Sequence, residues 1–124
     1  MTIAPLLLVE DEFLIRTALA DYLRLRGGFT VIESETAPDA LAALEGQDDI
    51  AILLTDLRLP GGLDGLEIAA QARRKWPELP VIYISGRVMA PGGSTLEGKR
   101  DSYIAKPYEP SAVLERIRSI LGQD

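Results

Sequence analysis

Short continuous apolar runs alternate along the chain with segments in which apolar residues recur at helical spacing. Leu6–Val9 is such a run, and the helical pattern that follows it over residues 15–23 ends at Gly27 and Gly28. Further apolar runs predict strands at residues 29–32, 50–54, 81–84 and 103–105. Strands that are buried on both faces are apolar throughout, and intervening helices make consecutive strands parallel. The sequence therefore predicts an α/β fold, a doubly wound parallel sheet of five strands with helices on both faces.

One of the predicted strand–helix units is irregular. The segment GRVMAPGGSTLEGKRD at residues 86–101 contains Pro91 and several glycines, and it shows little periodicity. The last helix, by contrast, begins at Pro110 and carries apolar residues on one face. We therefore expect the fourth of five helices to be short or irregular.

The composition excludes several kinds of chemistry. The chain has no cysteine and no histidine, so it forms no disulfide, thiolate site or phosphohistidine of its own. A formal net charge of −6 argues against a nucleic-acid surface, which needs clustered Lys and Arg. No apolar run approaches the about 20 residues that span a bilayer, and the start MTIAPLLLVEDE is unlike a signal peptide. We expect a cytoplasmic protein that binds neither a membrane nor nucleic acid directly.

Polar residues follow four of the predicted strands, at the edge where a parallel sheet binds its ligands. These residues are Glu10, Asp11, Asp56, Ser85 and Lys106. Each of them alone could cap a helix, complete a turn or lie in solvent. Carboxylates gathered at one edge repel each other unless a cation joins them, and oxygen ligands select a hard ion such as Mg²⁺. The pattern predicts an acidic Mg²⁺ site that faces a lysine and a hydroxyl, which suits phosphoryl transfer.

Four segments that contain these residues resemble the receiver domain of two-component response regulators, of the chemotaxis-regulator type. The segments are LLLVEDE at 6–12, LLTDLRLPGGLDGLE at 53–67, VIYISG at 81–86 and YIAKPY at 103–108. The resemblance covers essentially the whole chain and implies a single receiver domain over residues 1–124. It also implies a flavodoxin-like (βα)5 fold with the strand order 2-1-3-4-5.

The resemblance implies roles for the acids at the predicted edge. Asp56 matches the phosphoacceptor of the family. Glu10 and Asp11 match the acid pair that holds Mg²⁺, Asp11 directly and Glu10 more often through water. Asp56 and the backbone carbonyl of Arg58 would complete the metal ligands.

The resemblance also implies a switch. Lys106 and Ser85 match the lysine and the hydroxyl that contact the phosphoryl group. Tyr103 matches an aromatic residue that turns inward when Ser85 moves, although a plain core position for Tyr103 stays open as an alternative. The bond between Lys106 and Pro107 is cis in the family.

The function that these matches imply is a phosphorylation-dependent signalling switch. A sensor histidine kinase or a histidine phosphotransfer protein would supply the phosphoryl group, and the domain would catalyse only its own phosphorylation and dephosphorylation. The sequence does not indicate the downstream protein partner, and it is compatible with a homodimer.

Two alternative functions are also compatible with the sequence. One is a receiver-fold interaction module that works without phosphorylation. The other is a Mg²⁺-dependent phosphohydrolase that acts through an aspartyl phosphate, although VEDE lacks the Asp-x-Asp spacing of the haloacid-dehalogenase type. Nucleotide binding is disfavoured because no glycine-rich phosphate-binding motif follows a strand.

Overall fold

The computed structural model of the protein describes residues 3–59, 64–86 and 100–122. The elements in chain order are β1 (Leu6–Val9), α1 (Phe13–Gly27), β2 (Val31–Ser34), α2 (Ala37–Glu45), β3 (Ile52–Asp56), α3 (Gly65–Lys75), β4 (Val81–Ser85), β5 (Asp101–Ala105) and α4 (Pro110–Ile120). All strand pairs are parallel, and the strands lie in the order β2-β1-β3-β4-β5. The predicted α/β architecture and strand order are therefore confirmed.

One feature predicted from the sequence lies where the structure gives no description. The irregular fourth helix corresponds mainly to residues 87–99, which lie outside the described residues. Within the described part of the chain, no helix is long and apolar enough to cross a membrane.

Alternate residues of the central strands fill two cores, one on each face of the sheet. Leu6 and Leu8 of β1 pack toward α1 and α4, whereas Leu7 and Val9 pack toward α2 and α3. Each of these four side chains is at most 1% exposed. Complete burial of such a side chain contributes roughly 1.5–3 kcal/mol. Because β1 is buried on both faces, an unbroken apolar run is the sequence that this strand requires.

Strand β2 begins two residues later than the sequence predicted. The apolar run at residues 29–32 includes Phe29, but the structure places Phe29 at the end of α1. Gly28 caps that helix with a positive φ of 72°, and the N–H of Phe29 donates to the carbonyl of Leu23 at 3.3 Å. Phe29 is apolar because it is buried in the core and not because it pairs in the sheet.

Strand β1 has its predicted limits, whereas the three strands after β2 depart from theirs. Strand β3 begins at Ile52 and not at residue 50. Strand β3 runs to Asp56 and not only to residue 54, because Asp56 still pairs with Ile84 of β4. Strand β4 likewise includes Ser85, and β5 begins at Asp101, which pairs with Val81. Two of the predicted site residues are therefore the last residues of strands.

Helix α3 begins in close contact with the end of β3. Asp64 and Glu67 form a reciprocal capping box, in which each side chain accepts from the backbone N–H of the other, at 3.0 and 3.2 Å. The N–H of Gly65 donates to the carbonyl of Leu57 at 2.9 Å. A Cβ atom at Gly65 would lie 2.3 Å from the backbone oxygen of Asp56. Only glycine allows α3 to start this close to Asp56.

We expect Gly65→Ala to lower the free energy of unfolding by about 1–3 kcal/mol, because the backbone of β3 must move to admit the methyl group. Urea denaturation measures the change. Gly46→Ala is the matched control, since its Cβ would meet only ordinary contacts at 3.8 Å. We expect that control to be neutral or to gain up to about 1 kcal/mol. Equal stability of Gly65→Ala and the parent would contradict the prediction.

Candidate functional site

Backbone hydrogen bonds extend the sheet by one residue beyond three of its strand ends. These bonds run from Glu10 N–H to Ser34 O at 3.0 Å, from Leu57 N–H to Ile84 O at 3.0 Å, and from Lys106 N–H to Ser85 O at 2.7 Å. The backbone at the three chain segments is thus held by the sheet itself. Because parallel strands end at the same edge, this arrangement brings their polar residues together.

The side chains at this edge form a cluster of three acids and one ammonium group. Glu10, Asp11 and Asp56 each offer a carboxylate oxygen, and these oxygens lie within 4.8 Å of one another. Lys106 Nζ lies 2.9 Å from Glu10 Oε1 and 2.9 Å from Asp56 Oδ1. Glu10 and Asp56 are only 3% and 5% exposed, whereas Asp11 is partly exposed. Two buried carboxylates therefore share one ammonium group, and the third acid faces solvent.

Glu10 is held through both of its carboxylate oxygens. Oε1 accepts from Lys106, and Oε2 accepts from the backbone N–H of Glu12 at 3.0 Å. Burial raises the pKa of Glu10, but the hydrogen bonds from Glu12 and Lys106 outweigh burial and lower that pKa. Glu10 is therefore the member of the buried pair that stays ionised.

The pKa of Asp56 is raised, in contrast to that of Glu10. Burial raises the pKa of Asp56 to about 7; the Glu10 carboxylate adds to this rise, and Lys106 opposes it. Burial lowers the pKa of Lys106, but its hydrogen bonds to the two acids outweigh burial and raise that pKa above its ordinary value. A proton that enters this cluster is therefore held mainly by Asp56.

A cavity of about 310 Å³ opens over Asp56. It is lined by Asp11, Glu12, Asp56, Arg58, Ile84, Ser85, Gly86 and Lys106. Since a water molecule takes up about 30 Å³, this volume admits a phosphoryl group together with several waters. The structure thus brings Asp11, Asp56, Arg58, Ser85 and Lys106 to one cavity. Glu10 is buried beside Lys106 and does not line the cavity.

Tyr103 lies farther along the same sheet. Its ring lies beside Tyr83 of β4, with centroids 5.5 Å apart and ring planes at 58°. Tyr83 and Ser85 are two residues apart on one strand, so both point to the face that carries Tyr103. Tyr103 is partly exposed and packs at the margin of the core beneath α2 and α3.

Two residues that the sequence pattern did not indicate, Tyr108 and Arg16, also lie near the acid cluster. Tyr108 packs against the core on the side of α1 and α4. Burial, with the Glu10 carboxylate adding to it, raises the pKa of Tyr108 to about 12. Tyr108 follows the Lys106–Pro107 bond, which is cis as the resemblance implied. Arg16 donates from Nη1 to the backbone carbonyl of Glu10 at 2.9 Å. The sequence could have indicated this contact, because Arg16 lies one turn after the start of α1 and helical side chains point toward the N-terminus of their helix.

The donor set fits a hard divalent cation. It consists of carboxylate oxygens, which suit Mg²⁺ better than the softer metals that prefer nitrogen or sulfur. Asp11 is the partly exposed member, whereas both oxygens of Glu10 already accept hydrogen bonds. The geometry therefore favours direct coordination by Asp11 over direct coordination by Glu10.

A family match, sequence relatives and solved structures all indicate the same family. The model of the response regulator receiver domain matches residues 6–118. The response regulator protein FleR of Pseudomonas aeruginosa is 34% identical over 123 residues, which cover 97% of this chain and 25% of FleR. The chemotaxis protein CheY homolog of Campylobacter jejuni is 28% identical, over 94% of this chain and 92% of that protein. The chain thus spans a quarter of FleR but almost all of the CheY homolog.

Solved structures agree with these sequence matches. A CheY-like receiver domain protein from Methanospirillum hungatei superposes with a TM-score of 0.83 at 26% identity, and the match covers 98% of this chain and 95% of that chain. The receiver domain of the hybrid histidine kinase CckA gives a TM-score of 0.77 at 29% identity, over 95% of this chain and 99% of that chain. The strand order, the acid cluster beside a lysine, and the family match over residues 6–118 lead to one conclusion. This chain belongs to the response regulator receiver domain family, whose members are the phosphorylatable switch domains of two-component signalling.

Proposed function

We propose that Asp56 accepts a phosphoryl group in a Mg²⁺-dependent reaction, and that the modified domain changes conformation to signal to a partner protein. The observation that carries this proposal is that three carboxylates and the Lys106 ammonium group meet at one edge of the sheet, where Asp11, Asp56 and Lys106 line an open cavity. The donor would be a phosphohistidine of a sensor histidine kinase or a histidine phosphotransfer protein in the cytoplasm. The donor histidine lies outside these 124 residues, which contain no histidine.

Asp56 is well placed to act as the nucleophile. It is the last residue of β3, and its carboxylate lines the cavity. In the proposed step, a carboxylate oxygen of Asp56 forms a bond to phosphorus while the phosphorus–nitrogen bond of the donor breaks, and the product is an acyl phosphate. The released imidazole nitrogen keeps the electron pair of the broken bond. The later attack of water on the acyl phosphate would restore Asp56 and release inorganic phosphate.

Positive charge is available beside the reacting group. Lys106 Nζ lies 2.9 Å from Asp56 Oδ1, so a small movement would bring it to a phosphoryl oxygen on that carboxylate. We propose that Asp11, Asp56 and the backbone carbonyl of Arg58 would hold Mg²⁺ directly and Glu10 through water, and that the bound ion would neutralise charge on the phosphoryl oxygens. Glu10 would act mainly by holding Lys106 in place, since both of its oxygens already accept hydrogen bonds.

The switch would follow from the charge that the reaction adds. A phosphoryl group contributes about −1.5 to −2 charges at neutral pH. Ser85 lines the cavity at the end of β4, and we propose that its hydroxyl moves to donate to a phosphoryl oxygen. Tyr103 lies on the same face of the sheet beside Tyr83, and it would turn inward in response. Packed cores change between discrete arrangements, so two such side chains can carry the signal across the sheet.

The alternative functions have less support. An interaction module that works without phosphorylation has no need for two buried carboxylates, because their burial is costly and contributes nothing to binding at a distant surface. A phosphohydrolase of the haloacid-dehalogenase type carries its nucleophile after the first strand, whereas Asp56 ends the third. We therefore propose that this domain catalyses only its own phosphorylation and dephosphorylation.

Phosphorylation tests the assignment of Asp56. We expect the parent protein, incubated with Mg²⁺ and acetyl phosphate, to gain one phosphoryl group, which intact-protein mass spectrometry detects. Asp56→Asn replaces the nucleophilic carboxylate with a neutral amide, so it should gain none, and chelation of Mg²⁺ should abolish the gain in the parent. Asp21→Asn is the control, because Asp21 is an exposed acid of α1 and should leave the reaction unchanged. Equal phosphorylation of Asp56→Asn and the parent would show that another residue is the acceptor.

The pKa of Asp56 gives a second test. In the metal-free protein we expect its carboxyl group to titrate near pH 7, measured by carbon-13 NMR. Lys106→Met should raise this pKa further because it removes the neutralising cation, whereas Lys75→Met should not, since Lys75 binds carbonyls at the end of α2. A carboxyl group of Asp56 that titrates near its ordinary value of 3.8 would contradict the described geometry.

The raised pKa of Asp56 also sets the sign of a stability change. Asp56 ionises near 3.8 when the chain is unfolded and near 7 when it is folded, so its protonated form favours folding. The free energy of unfolding should therefore fall as pH rises from about 4 to 7, by an amount of the order of 2–4 kcal/mol. Asp56→Asn should remove this slope. A slope that persists in Asp56→Asn would assign it to another group.

The proposed switch predicts a response at Tyr103. Beryllofluoride with Mg²⁺ mimics the phosphoryl group on an aspartate, and we expect it to shift the ring resonances of Tyr103 in NMR spectra. Ser85→Ala should still bind the mimic but should give a smaller shift, because the hydroxyl that couples the two positions is gone. Tyr22 on α1 serves as an internal control and should not respond. An unchanged Tyr103 in the saturated parent would rule out the proposed output.

A further inference from the structure

Arg16 connects the acid cluster to the neighbouring edge strand of the sheet. Its side chain is 11% exposed, although it carries a full positive charge. Nη1 donates to the backbone carbonyl of Glu10 at 2.9 Å, and Nε donates to Oε1 of Glu33 at 3.2 Å. Arg16 therefore bridges the end of β1 and the end of β2 from a position on α1.

The bond to Glu10 completes the sheet where β2 stops. The N–H of Glu10 donates to the carbonyl of Ser34, and in a parallel ladder the carbonyl of Glu10 would accept from a residue two positions after Ser34. That residue is Thr36, but β2 ends at Ser34 and Thr36 is already the N-cap of α2. Arg16 supplies the donor that the shortened strand does not, and this satisfies the backbone carbonyl of a buried residue.

The carbonyl that Arg16 holds belongs to the peptide group between Glu10 and Asp11. The orientation of this peptide sets the directions in which both acids leave the backbone. Glu10 points inward to Lys106, and Asp11 contributes to the surface of the cavity. A rotation of the peptide would move Asp11 relative to Asp56, because Glu10 is anchored on both of its oxygens.

Glu33 fixes the guanidinium group of Arg16 in turn. Its Oε1 binds Arg16, and its Oε2 lies 3.0 Å from Nη2 of Arg24, which also donates to the carbonyl of Val31 at 2.8 Å. The ring of Phe13 packs against the other side of Arg16, 5.5 Å from its Cζ. The guanidinium group is therefore held from several sides before it reaches Glu10.

We propose that Arg16 is a positioning residue for the metal and phosphoryl site: supported by Glu33, it holds the Glu10–Asp11 peptide so that Asp11 and Asp56 face a common cation. The inference rests on the proposed Mg²⁺-dependent function. Positioning and simple electrostatics predict opposite changes in Mg²⁺ affinity when Arg16 is replaced. Removal of a positive charge near a cation site should strengthen Mg²⁺ binding through Coulomb's law, whereas loss of positioning should weaken it.

The experiment compares Mg²⁺ dissociation constants of Arg16→Met, Arg24→Met and the parent by NMR titration with MgCl₂. We expect Arg16→Met to bind Mg²⁺ about 10–100-fold more weakly, as is typical when a group that orients a metal ligand is removed. Arg24→Met is the matched control. It loses the same charge and the same partner, Glu33, but it does not touch Glu10, so its affinity should stay within about twofold of the parent.

A second variant and a second signal separate positioning from a general loss of stability. Arg16→Lys keeps the charge but cannot make both bonds of the planar guanidinium group, so it should weaken Mg²⁺ binding several-fold. In the metal-free protein, the amide nitrogen of Asp11 should shift in both Arg16 variants, since its own peptide group loses a hydrogen bond. The chemical shift of the Asp11 amide nitrogen should be unchanged in Arg24→Met.

The outcomes separate this inference from the proposed function. If the parent binds no Mg²⁺, the proposed function is wrong and the inference falls with it. If the parent binds Mg²⁺ and Arg16→Lys binds it equally tightly with an unshifted Asp11 amide, only the inference is wrong. Should Arg16→Met fail to fold, Arg16→Lys decides the question. Tighter Mg²⁺ binding by Arg16→Met would assign Arg16 a purely electrostatic effect and would also overturn the inference.

Discussion

The ammonium group of Lys106 lies between two carboxylates that the fold removes almost completely from water, and the site depends on this contact. Glu10 and Asp56 are 3% and 5% exposed, and each accepts a hydrogen bond from Nζ at 2.9 Å. Ionised carboxylates buried at this depth without a cation would cost several kcal/mol each. Burial raises the pKa of Asp56, and one ammonium group shared with Glu10 does not offset this rise, so the ionised cluster retains a demand for further positive charge. A divalent cation beside Asp11 would meet that demand.

The sheet makes this arrangement possible because it holds the backbone of each contributing segment. Hydrogen bonds beyond the strand ends fix Glu10 and Lys106, which are 96 positions apart in the chain, at neighbouring points of one edge. Gly65 brings the start of α3 against the carbonyl of Asp56, and Arg16 occupies the place where β2 has ended. The carboxylates of Glu10 and Asp56 and the ammonium group of Lys106 are thus carried on backbone that the sheet holds in place.

Local patterns predicted those parts of the fold in which burial alone selects the residues. Strand β1 could be predicted to the residue because all four side chains are buried, whichever face they occupy. Strand β2 could not, because Phe29 is apolar for packing and Glu33 is polar for its contacts with arginines. The order of strand ends was enough to predict which acids meet, since parallel strands share an edge. The pairing of Lys106 with Glu10 and the role of Arg16 depend on side-chain geometry and on where β2 ends, which no local pattern contains.

Paramagnetic broadening by Mn²⁺, which favours the same oxygen ligands as Mg²⁺, tests most directly whether the acids converge on one cation. At low ratios of Mn²⁺ to protein, the amide signals of Asp11, Asp56 and Lys106 should disappear first. Asp48 and Asp49 are an acidic pair in the loop that precedes β3, at the opposite edge of the sheet. Their amide signals should persist until far more metal is present. Early loss at Asp48 and Asp49, or uniform loss over the surface while the amide of Asp56 stays sharp, would contradict a shared cation site at this edge.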